Sequence, residues 1–250
     1  MKKILNITSA LTIASWATSG MAFFDGEAFY GSKSAKTKYS VAGVEKSKDL
    51  RGTEIGASFL LDPIPLVPVA FGVVASQSST DLKHVIQEVA DGNVASDSSM
   101  AGFSGKGTGT SKTLFYGPVI KAWVPMPKIK PYVKAAYLMG TEVIDETMDF
   151  DSPSDTSISA SFKQKTTYSH TATEMTVGLG FSPVKLTSIF AEYTMHSGKR
   201  KAKSLSGETT ITSGGETIIT PITSDSLSAD DKKEESANAT SIRVGFSVGI

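Results

Sequence analysis

Histidine is the side chain whose ordinary pKa lies nearest neutrality, so acid–base chemistry in this chain would start from His84, His170 and His196. His84 and His170 fall in polar connections and are expected to be solvated. His196 is followed by Ser197, a nucleophile beside a base in sequence. Neighbouring residues of a strand point to opposite faces, which keeps the two from hydrogen-bonding. No catalytic residue is assigned, and the chain is read as not an enzyme. The acids Asp145, Glu146, Asp149, Asp151 and Asp155 raise calcium. An EF-hand loop counted from Asp149 needs a ligand at its fifth position, Gly at the sixth and Glu at the twelfth, where this chain has Pro153, Ser154 and Ala160. They read as a solvated acidic loop, and no metal is assigned. Gly105-Lys106-Gly107-Thr108-Gly109 follows no strand and opens no helix, so it is a flexible loop and not a phosphate cradle. No cofactor is expected.

The charges with a pattern are Glu54, Lys121, Lys134, Glu174, Glu192 and Arg243. Each comes from the polar side of a different alternating segment, and these segments must position them. The clearest is the last, Ala239 to Ile250. Ile242, Val244, Phe246, Val248 and Ile250 are apolar, while Ser241, Arg243, Gly245, Ser247 and Gly249 between them are polar or small. Period-two alternation is a strand with one greasy and one wet face.

Seven earlier segments follow suit. Phe24–Lys38 is ambiguous, with Ala28 and Tyr30 on one side and Glu27, Phe29 and Gly31 on the other; a polar link, Val44–Asp49, follows it. Thr53, Ile55, Ala57, Phe59 and Leu61 oppose Glu54, Gly56 and Ser58. Val67, Val69, Phe71, Val73 and Ala75 oppose Ala70, Gly72, Val74 and Ser76. Leu114, Tyr116, Ile120, Ala122 and Val124 oppose Phe115, Gly117, Val119, Lys121 and Trp123. Val133, Ala135, Tyr137, Met139 and Val143 oppose Tyr132, Lys134, Ala136, Gly140 and Glu142. Thr173, Met175, Val177, Leu179 and Phe181 oppose Glu174, Thr176, Gly178 and Gly180. Ile189, Ala191, Tyr193 and Met195 oppose Phe190, Glu192, Thr194 and His196.

The connections sort by length. Asp62–Pro68, Pro125–Pro131 and Ser182–Lys185 are short and carry prolines, which stiffen a reversal and cannot donate to a ladder. Between them lie long polar loops at 77–112, 145–171 and 198–238, with a helical turn or two over His84–Ala90. Thr209–Ile211 and Thr217–Thr220 flank Ser213-Gly214-Gly215-Glu216 as a hairpin, whose arms are too short to cross a bilayer at about nine to eleven residues per strand. Ile158, Ala160 and Phe162 also alternate, but on the opposite parity to Met175, Val177 and Leu179, so joining that face would require a bulge.

At the other end, Lys2 and Lys3, the apolar run Ile4–Ala17 and the small residues Gly20 and Ala22 read as a secretory signal cleaved after Ala22. The domains are then 1–22, signal peptide, and 23–250, barrel. Removing the two lysines leaves 23 basic residues against 25 acidic ones, a balance that excludes a nucleic-acid binder. Cysteine is absent, which removes disulfides and a lipidated cysteine, and no later apolar run reaches 18 residues. A mean hydropathy of −0.04 suits alternating strands with polar loops.

With its signal, alternating strands, length-sorted connections and charged inner face, the chain resembles the small eight-stranded bacterial outer-membrane barrels of the OmpA membrane-domain, OmpX and OmpW type. That resemblance implies an all-β, transmembrane antiparallel up-and-down barrel of eight strands, ten being the alternative, exported through the periplasm to the outer membrane. It implies short periplasmic turns, long outer loops and a lumen filled by side chains. Glu54, Lys121, Lys134, Glu174, Glu192 and Arg243 would then form an ion-pair network plugging that lumen. The expected partners are outer-membrane lipid, lipopolysaccharide and the barrel-assembly machinery, although the terminal aromatic residue such families present to that machinery is Ile250 here. Lys199, Arg200, Lys201 and Lys203, at the outer rim, could contact lipopolysaccharide phosphates. The expected role is non-catalytic, structural or surface-interacting through the loops. The alternatives are a narrow porin-like pore, a lipid-modifying outer-membrane enzyme using His196 and Ser197, and a secreted soluble β-sandwich.

Overall fold

Alternating strands must bury one face, and eight of them do so by closing on each other. The computed structural model describes residues 23–62, 67–96, 103–126, 128–152, 158–184, 186–227 and 233–249. The segment 1–22, read as a secretory signal, and Ile250 lie outside these residues. β1 (Phe23–Val41), β2 (Val44–Asp62), β3 (Val69–Asp81), β4 (Ser104–Trp123), β5 (Ile129–Asp151), β6 (Ser159–Val184) and β7 (Thr187–Ser213) pair in sequence, each antiparallel to the next. Among the described residues β8 (Glu216–Ile222) and β9 (Glu235–Ser236) pair only with β7, and β10 (Ala239–Gly249) closes the ring between β7 and β1. The protein is therefore an eight-stranded antiparallel barrel with two short strands attached.

The stagger of the ring follows from its registers. From Asp25 the paired residues run Leu60, Gly72, Val119, Ala136, Glu174, His196, Ala239 and back to Ala35 on β1, a climb of ten positions per circuit. With ordinary strand spacings this sets a tilt of about 40°, at which about 10 residues cross a 25 Å apolar layer.

Ile55, Phe71, Val73, Ile120, Val133, Val177, Ile189 and Val244 lie on the outer wall, each about half exposed. In water such a surface would be an aggregation site; in a bilayer it is the lipid-facing band. The structure fixes β1 as well: Glu27, Phe29, Gly31 and Lys33 face in and Tyr30 faces out. Among the described residues no helix is long and apolar enough to cross a membrane, so the crossing is made by strands.

The stretches read as long loops are mostly wall. β6 and β7 are 26 and 27 residues long, far more than a crossing needs, and continue as a paired sheet beyond the band. Val44–Asp49, read as a link, is the start of β2, and the β1–β2 turn is only Ala42-Gly43. The Gly214-Gly215 hairpin forms between β7 and β8 with both glycines at positive φ, as a two-residue turn requires. Ile158, Ala160 and Phe162 keep the inward parity of β6, and the register shift falls instead in β7 at Lys203.

The helical portion is α1 (Lys83–Ser96), longer than His84–Ala90 suggested. The glycine-rich stretch is not a flexible loop but part of β4. Cβ atoms at Gly105 and Gly107 would run into Ala90 and into the backbone of Ile86 and Gln87. The bare inner face of β4 is the seat of the helix. Val85 and Ile86 pack there with Leu82, Leu50, Tyr39, Ile144 and Met148, so α1 lies inside the far end of the barrel, across its mouth.

Candidate functional site

Inward side chains fill the barrel in layers. Nearest the short-turn end, Lys134 Nζ donates to Glu27 Oε2 at 2.6 Å and to Glu192 Oε1 at 2.5 Å. Lys121 Nζ donates to Glu27 Oε1 at 2.6 Å and lies 3.6 Å from Asp25. The Tyr132 hydroxyl donates to Glu192 at 2.8 Å, and Lys121 sits over its ring. Ser58 completes the shell of Glu27.

The second layer is built on Arg243, which is 1% exposed. Its Nε and Nη2 donate to Glu54 at 2.9 Å each, and its Nη1 and Nη2 donate to Glu174 at 2.9 and 2.8 Å. Two carboxylates sharing one planar guanidinium form a bidentate clamp from β2, β6 and β10. His196 Nε2 lies 3.5 Å from Glu174 and 3.3 Å from the guanidinium. The Phe29 ring packs under Arg243 and would collide with any side chain at Gly56. Gly178 and Gly245 likewise make room for the rings of Tyr132 and Phe190.

A third layer sits higher. Glu142 accepts from Ser111 at 2.7 Å and from Arg200 at 3.1 Å, and Arg200 also reaches Glu235. Lys33 donates to Ser78 at 3.0 Å above Phe115, whose ring contacts both His170 and His196. Above this lies α1. Its Glu88 accepts from Lys46 at 2.6 Å and from the Tyr39 hydroxyl at 2.7 Å, which together hold the Glu88 carboxyl below the usual carboxylate range.

The six residues expected to form one network are all buried or half-buried inside, but as two separate groups: Lys121, Lys134 and Glu192 below, Glu54, Glu174 and Arg243 above. The network expected from sequence does not include Asp25, Glu27, Lys33, Glu142 or Arg200, although Glu27 and Glu142 are read on the polar sides of their segments. The inward alternation of Glu27 with Phe29 was a signal for the first two. His170 is not solvated: it lies on β6, buried against Phe115. The basic run does not form one patch. Lys199, Lys201 and Lys203 are exposed on the outer wall, while Arg200 turns inward to Glu142. His196 is buried in the lumen and Ser197 is exposed on the outer face, so they form no nucleophile–base pair. At the short-turn end a cavity of about 630 Å³, lined by Asp25, Lys121, Trp123, Tyr132 and Phe190, opens below the first layer. Among the described residues no group of acids and histidines could hold a metal ion.

A closed ring with an apolar outer band and a charged, filled interior defines a small bacterial outer-membrane β-barrel, and the bacterial outer membrane is its location. No protein-family profile matches the chain, and no curated protein matches it in sequence. Among solved structures, it is similar to a major outer membrane protein from Thermus thermophilus, at 15% identity and a TM-score of 0.41, over 92% of this chain and 100% of that one. It is also similar to Ail, the attachment invasion locus protein of Yersinia pestis, at 14% identity and a TM-score of 0.34, over 92% of this chain and 98% of that one. Neisserial surface protein A matches at 10% identity and a TM-score of 0.36, over 92% of this chain and 99% of that one.

Proposed function

We propose that this is a non-catalytic outer-membrane barrel whose work is done outside the membrane, by the strand wall, while the lumen serves as a structural plug. One observation carries this reading. The wall strands run to 26 and 27 residues where about 10 suffice to cross, so more than half of β6 and β7 is available for display. The three charged layers and α1 support a plug over a pore, because above the short-turn cavity inward side chains and the helix occupy the lumen up to its far mouth. The separation of His196 from Ser197 across the wall supports a non-catalytic role. The proline-marked turns are assigned to the periplasm and the tall wall to the exterior, as is usual for such barrels.

The chain has no cysteine, so single cysteines report orientation cleanly. Thr217→Cys at the hairpin tip and Lys106→Cys on the outer wall are expected to react with a membrane-impermeant maleimide on intact cells. Lys128→Cys, at the short-turn end, is expected to react only after the outer membrane is breached. Labelling of Lys128→Cys on intact cells, with Thr217→Cys unreactive, would overturn the assignment.

A further inference from the structure

Above the apolar band, the outward positions of four strands each turn basic. On β4 the first outward residue above Leu114 is Lys112. On β2, Arg51 follows Ile55 and Thr53. On β1, Lys36 follows Tyr30, Ser32 and Ser34, and on β7, Lys199 follows Met195 and Ser197. These unequal spacings are compensated by the stagger of the ring, which lifts each strand by about 1.25 residues over the one before it. The four bases consequently share one height, to within about 2 Å, roughly 5 Å above Leu114.

All four are exposed. Among the described residues only Lys199 has a carboxylate within ion-pair distance, Glu234 at 3.0 Å, which is itself exposed. Lys36 faces Asp49 across the β1–β2 ladder without closing a pair. About 10–16 Å below the bases, Tyr30, Tyr116, Tyr137 and Tyr193 stand on the outer wall, about half exposed, within the half of the apolar band nearer the collar. The other boundary is different. Its outward residues include Val124, Ile129, Phe181 and Val248, and among the described residues none there is basic; Lys128 and Lys130 line the cavity at the short-turn mouth instead. The charge therefore marks one leaflet.

We propose that Lys36, Arg51, Lys112 and Lys199 form a collar that binds the phosphate groups of the lipopolysaccharide surrounding the barrel, a proposal that rests on the orientation given above. The phosphates of that glycolipid lie between its acyl chains and its sugars, which is the height the collar occupies above the apolar band. An ammonium meets a phosphate there as a point charge, and the Arg51 guanidinium can take one bidentately. The collar is not the run Lys199–Lys203: only Lys199 stands at this height, and Arg200 is spent on Glu142 inside. Because the four bases are spread around the ring, they engage several lipid molecules.

The test uses the mature chain in nanodiscs containing lipopolysaccharide, compared with the same glycolipid after enzymatic removal of its phosphates. Retained glycolipid is counted by native mass spectrometry. The unaltered protein is expected to retain the phosphorylated form, and Lys36→Gln/Arg51→Gln/Lys112→Gln/Lys199→Gln to retain at least about tenfold less. Lys106→Gln/Lys165→Gln, which removes two exposed lysines higher on the wall, is expected to change retention less than twofold. Excess inorganic phosphate is expected to displace no more lipid than chloride at equal ionic strength. Equal retention of phosphorylated and dephosphorylated glycolipid by the unaltered protein would overturn the collar. So would a fourfold-substituted barrel that retains lipid normally. Displacement specific to inorganic phosphate would overturn the assignment to lipid. Should the fourfold variant not refold, the comparison of the two glycolipids on the unaltered protein decides, and cysteine labelling tests the orientation separately.

Discussion

At the scale of single residues, Arg243 is the side chain with most to lose. It is surrounded by two carboxylates, an imidazole and the Phe29 ring, and is almost without solvent. Removing one partner of a buried pair leaves charge uncompensated, which costs about 3–5 kcal/mol. Arg243→Ala is expected to lower stability by that amount in urea unfolding from detergent micelles. Adding Glu54→Gln and Glu174→Gln is expected to recover most of the loss, because the stranded carboxylates are then gone. A loss below about 1 kcal/mol for Arg243→Ala would contradict the clamp. Arg243, Glu54 and Glu174 were legible because each is the lone charge on the polar side of a strand whose other side is plainly apolar. Glu27 was less so, since Phe29 and Tyr30 put aromatic rings on both parities of β1. The division into two ion-pair groups was not legible at all. It depends on the stagger, which no single strand encodes.

At the scale of elements, the contrast lies between the membrane and the wall above it. Within the band, alternation of Val, Ile, Leu and Phe with small or charged residues gave the right facing for β2 to β7 and β10. Above it the same strands read Thr-Ser-Lys-Thr on both faces, for example Thr108–Thr113 and Lys165–Thr171, and an apolar period was missing because neither face meets lipid. The ladders there hold by backbone pairing and by inward residues such as Tyr168, Leu205 and Leu227. Gly105, Gly107 and Gly109 were misread for a related reason: a strand that seats a helix needs an absence of side chains, and in sequence that absence looks like a loop. Gly107→Leu is expected to push α1 off β4, because the new Cβ would occupy the backbone of Ile86 and Gln87. Trypsin should then cut at Lys83 several times faster than in the unaltered protein, while the barrel keeps its heat-dependent mobility on gels. Unchanged cleavage at Lys83 would mean α1 does not rest on that face.

At the scale of the whole molecule, one stagger does two things. It brings charges from distant strands to common heights inside, where they pair and fill the lumen, and it levels a ring of bases outside, of which, among the described residues, only Lys199 has an ion-pair partner. On the proposed reading, a filled centre and a tall wall together make a barrel that carries surface and not solute. Ion conductance of residues 23–250, refolded into a planar bilayer and shown by protease protection to be inserted, tests this most directly. Silence is predicted, both for the unaltered chain and for Gly107→Leu, because the Arg243 and Lys134 layers remain in place beneath the displaced helix. Stable, reproducible current steps from the unaltered protein that change size on neutralising Lys134 or Arg243 would contradict it, and would make the same side chains the lining of a pore.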